Sequence, residues 1–174
     1  MEVTSTETRA VLSADKPVKL FASSDERFRA TVDSPVQGDA AADWLSRPGT
    51  EFRLLNYAFG ASGSGEVYVS RSMGSVLDNV NRWLKQFEQK DLDQVEVDAL
   101  EKVSMLGGQA VWVQAEGSYA SGMGKPTVEG FALAGPIVQV GADIYTVKMV
   151  GPKNEVAAER VKLAAFVKSL RMAE

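Results

Sequence analysis

The chain has 174 residues, 45% hydrophobic and 24% charged, a composition that supports one buried core and argues against wholesale disorder. It contains no Cys and no His, which excludes disulfides, thiolate nucleophiles, Cys-ligated zinc and imidazole acid–base chemistry. A net charge of −4 offers no basic excess for a phosphate backbone, so no nucleic-acid partner is expected.

Met1–Lys16 carries Thr, Ser and Glu with little periodicity and reads as a loose or peripheral arm; residues 17–174 read as a single domain. The Met1–Asp15 segment lacks the basic-then-apolar pattern of a signal peptide, and no stretch reaches transmembrane length. The chain as given is therefore expected to be soluble, and any leader or lipid anchor belongs to a longer precursor.

Val18–Phe21 and Arg27–Val32 are the first expected strands. Trp44, in the Gly- and Pro-containing connection Val36–Thr50, is expected as a packing plug. Phe52–Phe59 and Glu66–Ser70 form a predicted hairpin around the flexible Ala61–Gly65 turn. Val67 and Val69 alternate there with Tyr68 and Ser70, the period of a half-buried strand.

A helix is predicted from Ser75, whose spacing to Asp78 suits a capping box. Val76, Val80, Trp83, Leu84 and Phe87 give it an apolar face, and it is expected to run to Lys90–Asp93. A second helix is expected after Asp93, with Val95, Ala99, Val103 and Leu106 inward and Gly107-Gly108 as its stop. Ala110–Ala115 reads as a central strand continuing toward Tyr119, followed by the glycine-rich loop Gly117–Pro126. Thr127–Leu133 and Ile137–Val140 read as two strands separated by Gly135-Pro136. Ile144–Val150 is a further strand, antiparallel to Ile137–Val140. A final helix follows Gly151-Pro152 and buries Val156, Leu163, Phe166, Val167 and Leu170, with Arg160 at the edge of that face. Strand–helix alternation is too sparse for a doubly wound cofactor fold, which leaves an α+β class with a mostly antiparallel β-sheet flanked by helices.

The segments Tyr68-Val69-Ser70-Arg71, Asn79-Val80-Asn81-Arg82-Trp83, Val147-Lys148-Met149-Val150-Gly151-Pro152 and Phe166-Val167-Lys168-Ser169-Leu170-Arg171 occur in that order. On these the chain resembles a group of uncharacterised bacterial predicted lipoproteins known especially from planctomycetes, over roughly Phe52–Arg171. The resemblance implies a Mog1/PsbP-like α/β/α sandwich. It also implies a place at the cell envelope, periplasmic or on the outer surface, with the cytoplasm as the alternative. The wider fold includes a photosystem II extrinsic subunit and a binding partner of a small GTPase.

The candidate ligand-binding residues form two groups. Asn79, Arg82 and Gln86 repeat along one helical flank with Arg71 just before it, and supply the donors and acceptors to recognise a carboxylate or backbone segment. The favoured reading of the same residues is that Trp83 anchors the helix while Asn and Arg tie its flank to nearby loops. Tyr119 and Lys125 flank a glycine-rich loop that forms either a binding rim or a plain surface turn; its spacing does not match a P-loop. Glu88, Asp91, Asp93, Glu96, Asp98 and Glu101 read as a solvated acidic face. No catalytic residue, cofactor or metal ligand is singled out. The expected role is a noncatalytic binding or accessory domain for a protein or small polar ligand. A carboxylate-dependent enzyme acting on a cell-envelope carbohydrate and a purely structural module are the alternatives.

Overall fold

The computed structural model describes residues 34–174, which fall in the compact unit Thr31–Glu174. The expected arm Met1–Lys16 and the expected strands Val18–Phe21 and Arg27–Val32 lie outside the described residues. In chain order the described elements are β1 (Val36–Gln37), β2 (Leu45–Ser46), β3 (Arg53–Phe59), β4 (Gly65–Ser72), α1 (Val76–Lys85), α2 (Gln94–Asp98), β5 (Lys102–Met105), β6 (Gly108–Tyr119), β7 (Val128–Val140), β8 (Asp143–Pro152), α3 (Lys153–Ser169) and β9 (Arg171–Met172).

Strands β2 to β8 form one antiparallel sheet in the order β2-β3-β4-β8-β7-β6-β5, and β1 pairs with β9 beside it. The centre is β8, whose side chains alternate between two cores. Tyr145, Val147 and Met149 face α3 with Val67, Val69 and Trp112, where Phe166 and Leu163 are fully buried. Each such side chain contributes about 2–3 kcal/mol of burial. Ile144 and Val150 face the other way, with Val111, Val113, Leu133 and Ile137, against Val80, Trp83, Leu84 and Phe87. Helices therefore cover both faces, and the expected α/β/α sandwich is the fold of the described residues. Trp44 is buried as a plug against Tyr57 and Phe166, its indole N–H donating to Glu159 at 2.7 Å.

The capping box at Ser75 is formed: Ser75 Oγ accepts the Asp78 N–H at 3.0 Å, and Asp78 accepts the Ser75 N–H at 3.0 Å. The helix ends at Lys85, short of Lys90–Asp93. Glu88 takes a left-handed conformation (φ 54°), which turns the chain so that the Gln89 N–H reaches the Leu84 carbonyl at 3.1 Å. The turn also folds Phe87 into the core.

The second helix is shorter than expected, five residues capped by Asp93, with Val97 buried and Val95 exposed. Val103 lies instead on β5. Leu106 (φ 51°) and Gly107 (φ 78°) form the two-residue turn joining β5 to β6, so the supposed helix stop is a hairpin turn with positive φ at both positions. Likewise β7 runs unbroken through Gly135-Pro136. A side chain at 135 would meet the Val147 carbonyl oxygen at 1.8 Å, so glycine there permits close strand contact rather than ending the strand.

Candidate functional site

Helix α1 packs over β6 and β7. Its flank therefore forms a wall beside the neighbouring strip of the same sheet face, built from β4 and β8. Alternation places Tyr68, Ser70 and Ser72 of β4 on that strip, and register sets Tyr68 opposite Lys148 and Ser70 opposite Thr146. With Arg82, Trp83 and Gln86 of the helix and Phe52 at the mouth, these residues line a cleft of about 230 Å³.

Lys148 is only 3% exposed, and Nζ donates to the Gln86 side-chain oxygen. It also lies 5.5 Å from the ring centres of Trp83 and Tyr119. Among the described residues no carboxylate forms an ion pair with it. Burial pulls its pKa down to about 7, and the positive charges of Arg82 and Arg53 push the same way, partly offset by Glu66. Thr146 is as deeply buried, and neither its hydroxyl nor that of Ser70 has a side-chain partner among the described residues. Glu66 is engaged by Arg53 at 3.3 Å and Arg47 at 3.6 Å, and the Arg53 guanidinium lies 3.9 Å over the Tyr68 ring.

Arg82 is anchored through one terminal nitrogen, which donates to Ser72 Oγ at 2.9 Å and to Asn79 Oδ1. Its other N–H groups have no partner among the described residues, and Arg82 borders the cleft. Asn79 is fully buried. It accepts from Ser72 and Arg82 and donates to the carbonyls of Met73 at 3.0 Å and Ser75 at 2.8 Å. Asn79 thus positions Arg82 without lining the cleft itself.

The remaining sequence candidates divide. Gln86 lines the cleft, and its backbone carbonyl accepts the Ala120 N–H at 2.8 Å. Arg71 borders the cleft, but it alternates with Val69 onto the opposite sheet face and is not among the charges acting on Lys148. Tyr119 stands behind Lys148, packed 5.1 Å from Phe87 and 5.9 Å from Phe131, with burial raising its pKa to about 12. Lys125 is exposed in the β6–β7 loop, away from the cleft lining. Sequence reasoning passed over Lys148, Thr146, Ser70 and Tyr68 as site residues. The available signal was Lys148, a single cation inside the apolar run Ile144–Val150.

A larger hollow of about 340 Å³ lies between α3 and strands β6 and β7. Alanines and aliphatic side chains form much of its wall, and its bordering cations are paired, Lys153 with Glu116 at 2.8 Å and Arg160 with Glu101 at 3.5 Å. The smaller cleft is the better candidate because its cations Lys148 and Arg82 bond only neutral side chains and form no ion pair among the described residues. In the acidic interval Asp93 and Glu96 form a capping box and Asp91 pairs with Lys85 at 3.3 Å. Among the described residues no three acidic side chains converge on a metal position.

No family model and no curated protein matches the chain. Solved structures similar to it include the following three, all with TM-scores of 0.46 or below. One is a protein from Bacteroides thetaiotaomicron VPI-5482, 14% identical over 80% of this chain and 46% of that one, with a TM-score of 0.46. The chain thus spans about half the length of that protein. A second is LpqN, involved in cell envelope biogenesis of Mycobacterium tuberculosis, 12% identical over 80% and 83% of the two chains (TM-score 0.43). A third is the cyanobacterial PsbP (CyanoP) from Synechocystis sp. PCC 6803, 9% identical over 80% and 94% (TM-score 0.42). The comparisons assign the chain to no planctomycete family.

Proposed function

We propose that the chain is a noncatalytic binding or accessory domain of the bacterial cell envelope that recognises a small polar ligand in the cleft between α1 and strands β4 and β8. The observation that carries this reading is the polarity the cleft presents: among the described residues, a buried Lys148 without a carboxylate, Ser70 and Thr146 hydroxyls without side-chain partners, and N–H groups of Arg82 without partners. A cation held in a cleft without a counter-charge is costly, and an anionic or polar ligand would offset that cost. The envelope location, outside the cytoplasm, rests on the sequence resemblance. No helix among the described residues is long and apolar enough to cross a membrane. Phe52, 72% exposed at the mouth, favours a second form of the reading in which a partner protein delivers the polar group.

A thermal-shift screen of small polar metabolites tests the proposal. Binding compounds are expected to stabilise the wild type and to lose that effect in Arg82→Gln and Lys148→Met. Compounds that stabilise both variants equally bind elsewhere and count against the cleft. Saturable turnover abolished by replacing one carboxylate overturns the noncatalytic reading.

A further inference from the structure

Resting on that reading, the chemical class of the ligand follows from which polar groups face the cleft. The floor carries the Lys148 amine and the Ser70 and Thr146 hydroxyls, and the wall carries the Arg82 guanidinium, whose N–H groups other than those on Nη2 have no partner among the described residues. All four of these contributors donate to an oxygen acceptor or rotate to become donors. The nearby acid, Glu66, is already held by two arginines.

We propose that the cleft captures a carboxylate, bound between the Arg82 guanidinium and Lys148, and that its entry draws a proton onto the Lys148 amine. A carboxylate oxygen suits the Nε and Nη1 N–H groups of Arg82, which the Nη2 bonds to Ser72 and Asn79 leave without a partner among the described residues. A carboxylate is matched in charge by the Arg82 guanidinium alone, whereas a phosphate dianion needs both the guanidinium and a fully protonated Lys148 to balance its two charges.

Proton uptake follows from the surroundings of Lys148. The charged and titratable groups facing it are Arg82 from α1, Arg53 from β3, Glu66 and Tyr68 from β4, and Tyr119 from β6; β7 brings the backbone of Gly135 beside it. Arg82 and Arg53 disfavour a third positive charge, and burial adds to the effect. An anion beside the amine reverses that balance, so binding and protonation are coupled and each strengthens the other.

The experiment is calorimetric titration of the full chain with acetate, inorganic phosphate and uncharged acetamide. It is run at pH 6 and pH 9 in two buffers of different ionisation enthalpy, with the Lys148 side-chain resonances followed by NMR. Acetate is expected to bind with proton uptake above pH 7 and to weaken by roughly tenfold per pH unit there. Lys148→Met, which replaces the amine with an apolar chain of similar length, is expected to stay folded and lose acetate binding. Phosphate binding with acetate excluded overturns the carboxylate class. Equal acetate affinity at both pH values without proton uptake overturns the coupling. Acetamide bound as tightly as acetate overturns both and leaves the cleft a neutral polar site. Silence of the Lys148 resonances toward all three probes, and toward every compound that stabilises the protein, removes the cleft reading as well.

Discussion

Among the described residues the buried Lys148 amine of β8 is met by the neutral side-chain amide of Gln86 beside α1, and not by a carboxylate. A pairing of this kind holds the amine in place without compensating its charge. The structure therefore disfavours the ammonium form, and stability acquires a defined pH dependence.

The sign follows from linkage. Lys148 titrates near 7 in the fold, below its ordinary value of 10.5, so between those limits the unfolded chain binds more protons. Its contribution is least favourable below pH 7 and is relieved as pH rises toward 10.5. Urea unfolding at pH 6.5, 8 and 9.5 is expected to show wild-type stability gaining about 3 kcal/mol relative to Lys148→Met across this window. Parallel pH profiles for the two proteins would show that the amine is not burdened.

Asn79→Ala removes a side chain that satisfies four partners at once, among them the carbonyls of Met73 and Ser75 and the donors of Ser72 and Arg82. The expected loss is about 2–3 kcal/mol in denaturant unfolding. Arg82 is released from its anchor in this variant, so ligand affinity falls as well, even though Asn79 does not reach the cleft. A stable variant with unchanged affinity would place the anchoring elsewhere.

Gly135→Ala is expected to destabilise by more than about 3 kcal/mol, because its methyl group would sit 1.8 Å from the Val147 carbonyl oxygen in the middle of the sheet. Gly141→Ala is the control: it also has positive φ (62°), but a methyl there meets nothing within 4 Å. Thermal melts of the two should separate clash from backbone strain.

Tyr119→Phe and Lys125→Ala are expected to bind any cleft ligand as the wild type does, within about 0.5 kcal/mol. The tyrosine ring packs between Phe87 and Phe131 and the lysine lies in an exposed loop. Tyr119→Ala, by contrast, opens that stack and is expected to cost about 3 kcal/mol in stability. A tenfold affinity loss in Lys125→Ala, measured by the same titration, would bring the β6–β7 loop back into the site.

Local chemistry decided what was legible in the sequence. The Ser75–Asp78 cap, the alternation of Val67 and Val69 with Tyr68 and Ser70, and the apolar stripe of the last helix each involve neighbours within a few residues. Those signals sufficed for the α+β class, the β3–β4 hairpin and the start of α1. They failed where one residue serves two conformations: Gly107 reads as a helix stop or a hairpin turn, and Gly135 as a break or a close contact. Strand pairing across the sheet chose between those alternatives.

The cleft is a tertiary object. Arg82 and Gln86 were visible as a polar helical flank, because i to i+4 spacing aligns them. Lys148 and Thr146 lie more than sixty positions later on β8, and only antiparallel pairing with β4 sets them against Ser70 and Tyr68. The packing of α1 over β6 and β7 then decides which strip of the sheet remains beside its flank. Sequence determined which groups are polar; the register and the seat of the helix determined which of them face one another without a partner.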